Sequence, residues 1–184
     1  MSGRKETILA TALRLFAERG YETTPTSLIA REAGVSEGLV FRHFENKDGL
    51  LAAILTEGQS RIKTLADRIE RETDPKHILA LTIDLPMTLL AEEREFWMLQ
   101  TALKFRSQQA VLLKNQTNYF GNLPAIIAQA FATLNYENPA RETELLMLLL
   151  EGFGTALMLS GEMMDGDETV RFIKSKYDVE MERR

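Results

Sequence analysis

The 184-residue sequence has no cysteine, only two histidines and a single tryptophan. Without thiols there is no disulfide framework, no thiolate nucleophile and no Cys-ligated zinc or iron–sulfur centre, and a cytoplasmic location is expected. Period-two alternation of apolar residues is almost absent, which argues against a sheet-based architecture. Leu81, Ile83 and Leu85 alternate as a strand would, but inside a helix-length segment with no partner strand in view. No apolar run reaches the roughly 20 residues of a membrane-spanning helix. The longest, Leu145 to Gly161, is interrupted by Glu151 and reads as a buried helix. The charged start, Met1 to Glu6, precedes an amphipathic stretch and not the apolar core of a secretory signal, so neither export nor a membrane partner is expected. An excess of positive charge is also missing: 22 Lys and Arg stand against 27 Asp and Glu, a net charge of −5, which argues against indiscriminate polyanion binding by the whole chain.

What is present is a globular composition, 45% hydrophobic and 27% charged. The length suits one domain, or a small module fused to a larger one. Residues 1–50 carry balanced charge, so all the excess acid lies beyond them. Apolar residues recur at three- and four-residue spacing, and the fold class expected is all-α. Thr24-Pro25, Asp74-Pro75 and Asn138-Pro139 each pair an N-cap residue with proline at the first helical position, marking three helix starts. The periodicity predicts helices over about 4–19, 25–33, 37–44, 47–71, 75–91 (kinked at Pro86), 92–107, 117–134, 139–163 and 167–180. Gly20 stops the first, Ser36 caps the third and Asn46 caps the fourth.

The second and third helices, joined by Gly34, Val35 and Ser36, have the spacing of a helix-turn-helix, whose second helix can project into the DNA major groove. Individual residues agree with contact to a duplex. Lys47 lies at the positive end of the fourth helix, where a cation is disfavoured by about 0.3–1 kcal/mol unless a phosphate approaches. Thr24, Thr26 and Ser27 gather hydroxyls at the start of the second helix as a second anion site, with Thr24 also its N-cap. Glu37 either accepts from a cytosine amino group or simply favours the helix start through the dipole. Gly38, costly in a helix, suggests close approach of backbone to a base-pair edge. Arg42 has the fork for guanine or phosphate, and His43 can hydrogen-bond a phosphate.

The run Gly20-Tyr21-Glu22-Thr23-Thr24, then Ile29-Ala30, Ala33-Gly34-Val35-Ser36, Gly38-Leu39-Val40-Phe41-Arg42-His43-Phe44, Asn46-Lys47 and Leu50-Leu51 resembles the N-terminal domain of the tetracycline-repressor (TetR) family of bacterial transcriptional regulators. The resemblance covers about residues 4–54. It implies a three-helix DNA-binding domain over 1–46 and a helical effector-binding and dimerisation domain over 47–184. The family usually has Tyr where this chain has Phe41, so a phosphate-reaching hydroxyl is missing and a packing or wedge role remains. Leu39 replaces a small or polar residue; it can touch a thymine methyl but cannot hydrogen-bond a base.

The helix over 139–163 is apolar all round, so it must be covered on both sides. Leu145, Leu149, Gly152, Ala156 and Ser160 share one face, small enough in places for close approach of a second copy, and the resemblance implies a dimer through the last two helices. Met87, Phe120, Phe131, Met147 and Met158 are expected to line an effector cavity between the fifth, seventh and eighth helices, under the Pro86 kink, with Trp97 at one edge. Asp84 and Glu151 are carboxylates inside apolar runs: pointing inward they would favour a cationic effector, pointing outward a neutral or weakly acidic hydrophobe. Enzyme chemistry has little to stand on, with no phosphate-binding glycine loop, metal-ligand spacing or nucleophile elbow, and no cofactor or metal is expected. A helical protein-interaction module is the other alternative. The function expected is a homodimeric, effector-released repressor of a palindromic operator, cytoplasmic and associated with the nucleoid.

Overall fold

A computed structural model describes residues 2–104, 120–160 and 164–179. Among them the regular elements are all helices: α1 (Ser2–Arg19), α2 (Thr26–Glu32), α3 (Glu37–Phe44), α4 (Lys47–Glu70), α5 (Pro75–Glu92), α6 (Arg94–Lys104), α7 (Leu123–Thr133), α8 (Pro139–Ser160) and α9 (Gly166–Lys176). None is long and apolar enough to cross a membrane. The chain divides into two compact units, Met1–Arg61 with Glu93–Thr117, and Ile62–Glu92 with Asn118–Arg184.

In the first unit α1 packs on α2 and on α6, and α2 packs on α3. On α1 the apolar stripe Ile8, Leu9, Ala12, Leu15 and Phe16 is buried, together with Ile29, Ala30, Val40, Phe44 and Phe96. Phe96 explains a glycine in the middle of α4: a Cβ at Gly58 would stand 2.0 Å from its ring. Arg61 donates to Glu93 over 2.7 Å and to Glu57 over 2.9 Å, tying the start of α6 to α4.

In the second unit α5, α7 and α8 pack pairwise and α9 packs on α5. α5 runs unbroken through the buried Pro86, and Ile83 and Leu85 are buried on a helix, which settles the alternating stretch. α7 starts at Leu123 and not near 117; Phe120, Gly121 and Asn122 form a turn in which Gly121 has φ +53°. The ends of α7 and α9 close with left-handed residues that are not glycine. Tyr136 N–H bonds Phe131 O after Asn135 (φ 62°), and Val179 N–H bonds Lys174 O after Asp178 (φ 52°). Each is the six-to-one bond of a Schellman closure.

Candidate nucleic-acid interface

The turn between α2 and α3 is set by Gly34. At φ +66° it lets its own N–H reach Arg31 O (3.2 Å) and the Val35 N–H reach Ala30 O (2.9 Å), so two orphan carbonyls of α2 are paired. Ser36 then caps α3, its hydroxyl accepting from Leu39 N–H. Val40 and Phe44 anchor α3 in the core. At 100° per residue, Gly38 and Arg42 stand on the opposite face, and both are exposed. Phe41 is 42% exposed, a large apolar ring left outside, while Leu39 is half-buried. His43 is exposed, its ring 6.0 Å from that of Phe44. Among the described residues, nothing beyond its chain neighbours and its own helix backbone lies within 4 Å of where a Cβ on Gly38 would be, so their packing does not require glycine there.

Lys47 is more tightly held than a solvated surface lysine. Its ammonium lies 4.3 Å from the centre of the Tyr21 ring and donates to Glu22 O over 3.3 Å. The Tyr21 hydroxyl in turn donates to Asp48. Burial lowers the Lys47 pKa from its ordinary value, against the opposing pull of Glu22 and Asp48. The ring face thus offsets the unfavourable helix-start position and fixes the ammonium at the first turn of α4. Asn46 caps that turn, its Oδ1 accepting from Gly49 N–H over 2.8 Å.

Two expectations at the start of α2 are corrected. Thr24 is fully buried and does not cap the helix; its hydroxyl turns back to donate to Gly20 O (2.8 Å), closing the end of α1. Pro25 occupies the cap position, with no side-chain bond. Thr26, half-buried, donates to Glu37 Oε1 over 2.6 Å. Of the three hydroxyls expected to form an anion site, only Ser27 is exposed. Sequence reasoning missed Tyr21, Asp48 and the Thr26–Glu37 bond, all products of tertiary contact with no local pattern to betray them.

The effector candidates divide. Trp97, half-buried on α6, belongs to the first unit, and the other seven belong to the second. Phe131 is fully buried among rings, with Tyr136 at 4.9 Å and Tyr177 at 5.5 Å between centroids, and reads as core. Met87, Phe120, Met147 and Met158 are half-buried. Asp84 is not a lone carboxylate: Lys174 donates to its Oδ2 over 2.7 Å. Glu151 is exposed.

On α8 the uncovered apolar stripe is Leu145, Leu148 and Leu159, with the exposed Gly152 between them. Leu149 and Ala156 flank it, half-buried, and the side chain of Ser160 lies outside the described residues. Leu148 and Leu159, 68% and 81% exposed, are the most prominent members of this face, and sequence reasoning passed over both. Phe172 of α9 adds a ring that is 72% exposed.

Residues 8–54 match the model of the bacterial regulatory proteins, tetR family. A fatty acid metabolism regulator protein of Bacillus subtilis (strain 168) is 29% identical over 118 residues, 60% of this chain and 61% of that protein. The first three curated relatives are matched over 61%, 33% and 31% of their lengths. Among solved structures, the regulator FadR of Bacillus subtilis in complex with stearoyl-CoA superposes with a TM-score of 0.77 at 19% identity, over 92% of this chain and 95% of that one. A transcriptional regulator described as putative from Saccharomonospora viridis, in complex with choline, gives 0.79 at 18% identity over 97% of both chains. At such identities the superpositions establish the fold: an N-terminal helix-turn-helix followed by a helical C-terminal part.

Proposed function

The chain belongs, through its N-terminal domain, to the tetR family of bacterial regulatory proteins, and from that premise we propose that it is a homodimeric repressor that a small apolar effector releases from a palindromic operator. Residues 1–46 read DNA and residues 47–184 carry the effector and dimer functions, in the cytoplasm at the nucleoid. The observation that carries the reading is the pairing of an α3 face bare of its own packing needs, Gly38 with Arg42, with a Lys47 ammonium immobilised nearby in sequence at the start of α4. Arg42 reads a base or a phosphate on the groove wall, and Lys47, Ser27 and His43 hold phosphates. Phe41 and Leu39 supply apolar contact, Leu39 to a thymine methyl.

The uncovered stripe of α8 and Phe172 of α9 support an isologous dimer, in which small residues at 152 and 156 allow close approach. A two-fold dimer places two copies of α3 in successive major grooves, with half-sites one helical turn (~34–36 Å) or more apart. An apolar effector is supported by the half-buried Met87, Phe120, Met147 and Met158 and by the relative whose structure holds stearoyl-CoA. Such a ligand acts only through better affinity for a dimer geometry that does not fit the operator.

The test is a duplex titration at two salt concentrations with wild type and Lys47→Ala. Loss of one phosphate contact should weaken all sequences alike and reduce the slope of log affinity against log salt by about 1. Unchanged affinity and slope would refute the phosphate assignment.

A further inference from the structure

The carboxylate of Glu37 is engaged before any partner arrives. Thr26, the first residue of α2, donates its hydroxyl to Oε1 of Glu37, the first residue of α3, over 2.6 Å. A threonine hydroxyl has one proton, so this donation withholds it from a phosphate oxygen. The bond occupies one carboxylate oxygen and leaves the lone pairs of Oε2 unused by it. Glu37 is half-buried, beside an exposed Gly38 that presents bare backbone. In a helix, Cβ atoms tilt toward the N-terminus, and that end of a recognition helix meets the base edges.

We propose that Thr26 and Glu37 form a specificity device: Thr26 orients Glu37 so that Oε2 accepts from the N4 amino group of a cytosine, and each half-site therefore requires a C·G pair at the position Glu37 faces. The chemistry is selective because a carboxylate only accepts hydrogen bonds. In the major groove guanine offers N7 and O6 and thymine offers O4, all acceptors that repel it. Adenine has an amino donor, but its neighbouring N7 is an acceptor and opposes the same carboxylate. Cytosine alone presents a donor with no acceptor beside it on the same base. A free glutamate at a helix end would also rotate away from the nearby phosphates; the Thr26 bond removes that freedom in advance, so less conformational entropy is lost on binding. Glu37 is the reading residue, and Thr26 is a positioning residue that acts through it.

The inference rests on the DNA-binding reading above, and the experiment separates the two. The full-length protein is used to select preferred duplexes from a randomised library, as wild type, Glu37→Gln, Thr26→Val and Thr26→Ser, with each variant's melting followed to verify folding. Wild type should select a symmetric site with a C at one position of each half. Glu37→Gln should move that position to A, because an amide matches the N6 and N7 pair of adenine. Thr26→Val should keep C preferred but lower discrimination against the other bases about ten-fold, within the range of a single mismatch. Thr26→Ser, which keeps the hydroxyl, should restore it. If Glu37→Gln fails to fold, Glu37→Asp, with its carboxylate drawn back by one methylene, should lose the C preference in the same assay. A Glu37 variant that selects the wild-type base at every position overturns the proposal, as does a Thr26→Val profile identical to wild type. A wild-type protein that selects no sequence refutes the DNA-binding reading instead.

Discussion

Gly38 and Gly49 frame α3 and the start of α4, yet adding a methyl group to each should have opposite consequences. At Gly38 a Cβ would meet no atom of the described residues within 4 Å beyond its chain neighbours and its own helix backbone, and the backbone there does not need a positive φ. Alanine is favoured over glycine by about 0.5–1 kcal/mol inside a helix, and the lower figure suits a residue in the first turn. For a chain of this size about 0.5 kcal/mol raises the melting temperature by about 1–2 °C. On the proposed function, however, that bare surface is where a base-pair edge approaches. An intruding methyl forces a shift of the kind that costs about 1–3 kcal/mol in a packed interface. Operator affinity should therefore fall by roughly ten-fold or more in Gly38→Ala while the protein becomes slightly more stable. Gly49→Ala is the contrast. Its Cβ would stand 2.1 Å from the backbone oxygen of Phe44 and 3.3 Å from the carbonyl carbon, neither of which can swing aside. Destabilisation above about 2 kcal/mol is expected, a fall of several degrees. Thermal melting and fluorescence anisotropy on a selected operator measure both quantities. The reasoning fails if Gly38→Ala is destabilised, or if it is stabilised and binds the operator as tightly as wild type.

Leu159→Glu should give monomers that bind the operator poorly, because the charge would enter the proposed two-fold contact, whereas a side chain 81% exposed in the single chain contributes little to that chain's own fold; sedimentation at micromolar concentration that still reports a dimer would reject this interface. Burial first, and then the bond to Asp48, raise the Tyr21 pKa above its usual value of 10.0. The corresponding stability is complete below pH 10 and is lost as pH rises further, since the unfolded phenol ionises first. Denaturant resistance should therefore fall more steeply above pH 10 in wild type than in Tyr21→Phe, with the raised pKa values of Tyr136 and Tyr177 common to both proteins, and parallel slopes would contradict it.

Local chemistry was the legible part of this chain. Gly34, Ser36 and Asn46 announce a turn and two caps because each acts within a few residues of itself, and the structure uses them as anticipated. Thr24 misleads for a related reason: a threonine before proline has the form of an N-cap, but α2 takes Pro25 as its cap residue and the buried Thr24 hydroxyl donates to Gly20 O. Left-handed Glu45, Asn135 and Asp178 end their helices without glycine, so the closing turns carry only a weak mark in the sequence. At α8 an all-round apolar helix is readable, but which stripe stays uncovered depends on where α5 and α7 pack. The expected face, centred on Leu149 and Ala156, is accordingly rotated toward Leu148 and Leu159. Long-range pairs such as Thr26 with Glu37, 11 residues apart, have no signature in periodicity.

The same limit governs the effector's charge, where the pairing of Asp84 with Lys174 changes the argument. A carboxylate unpaired inside an apolar run would have called for a cationic ligand. Instead Lys174 lies 2.7 Å from it, and the two side chains are unequally wet: Lys174 is 18% exposed and Asp84 is 40% exposed. A cationic effector that took Asp84 would strand an ammonium largely out of water, an unfavourable exchange. An anionic group that took Lys174 would strand a carboxylate that water still reaches, which costs less. On the proposed function, the asymmetry disfavours cationic effectors at this position and favours neutral or acidic apolar ones. Asp84→Asn removes the charge that Lys174 pairs with at 2.7 Å and should strengthen the response to an acidic apolar effector, measured as release of operator DNA. A hydrophobic cation that releases the operator from wild type, and loses that effect in Asp84→Asn, would overturn the assignment.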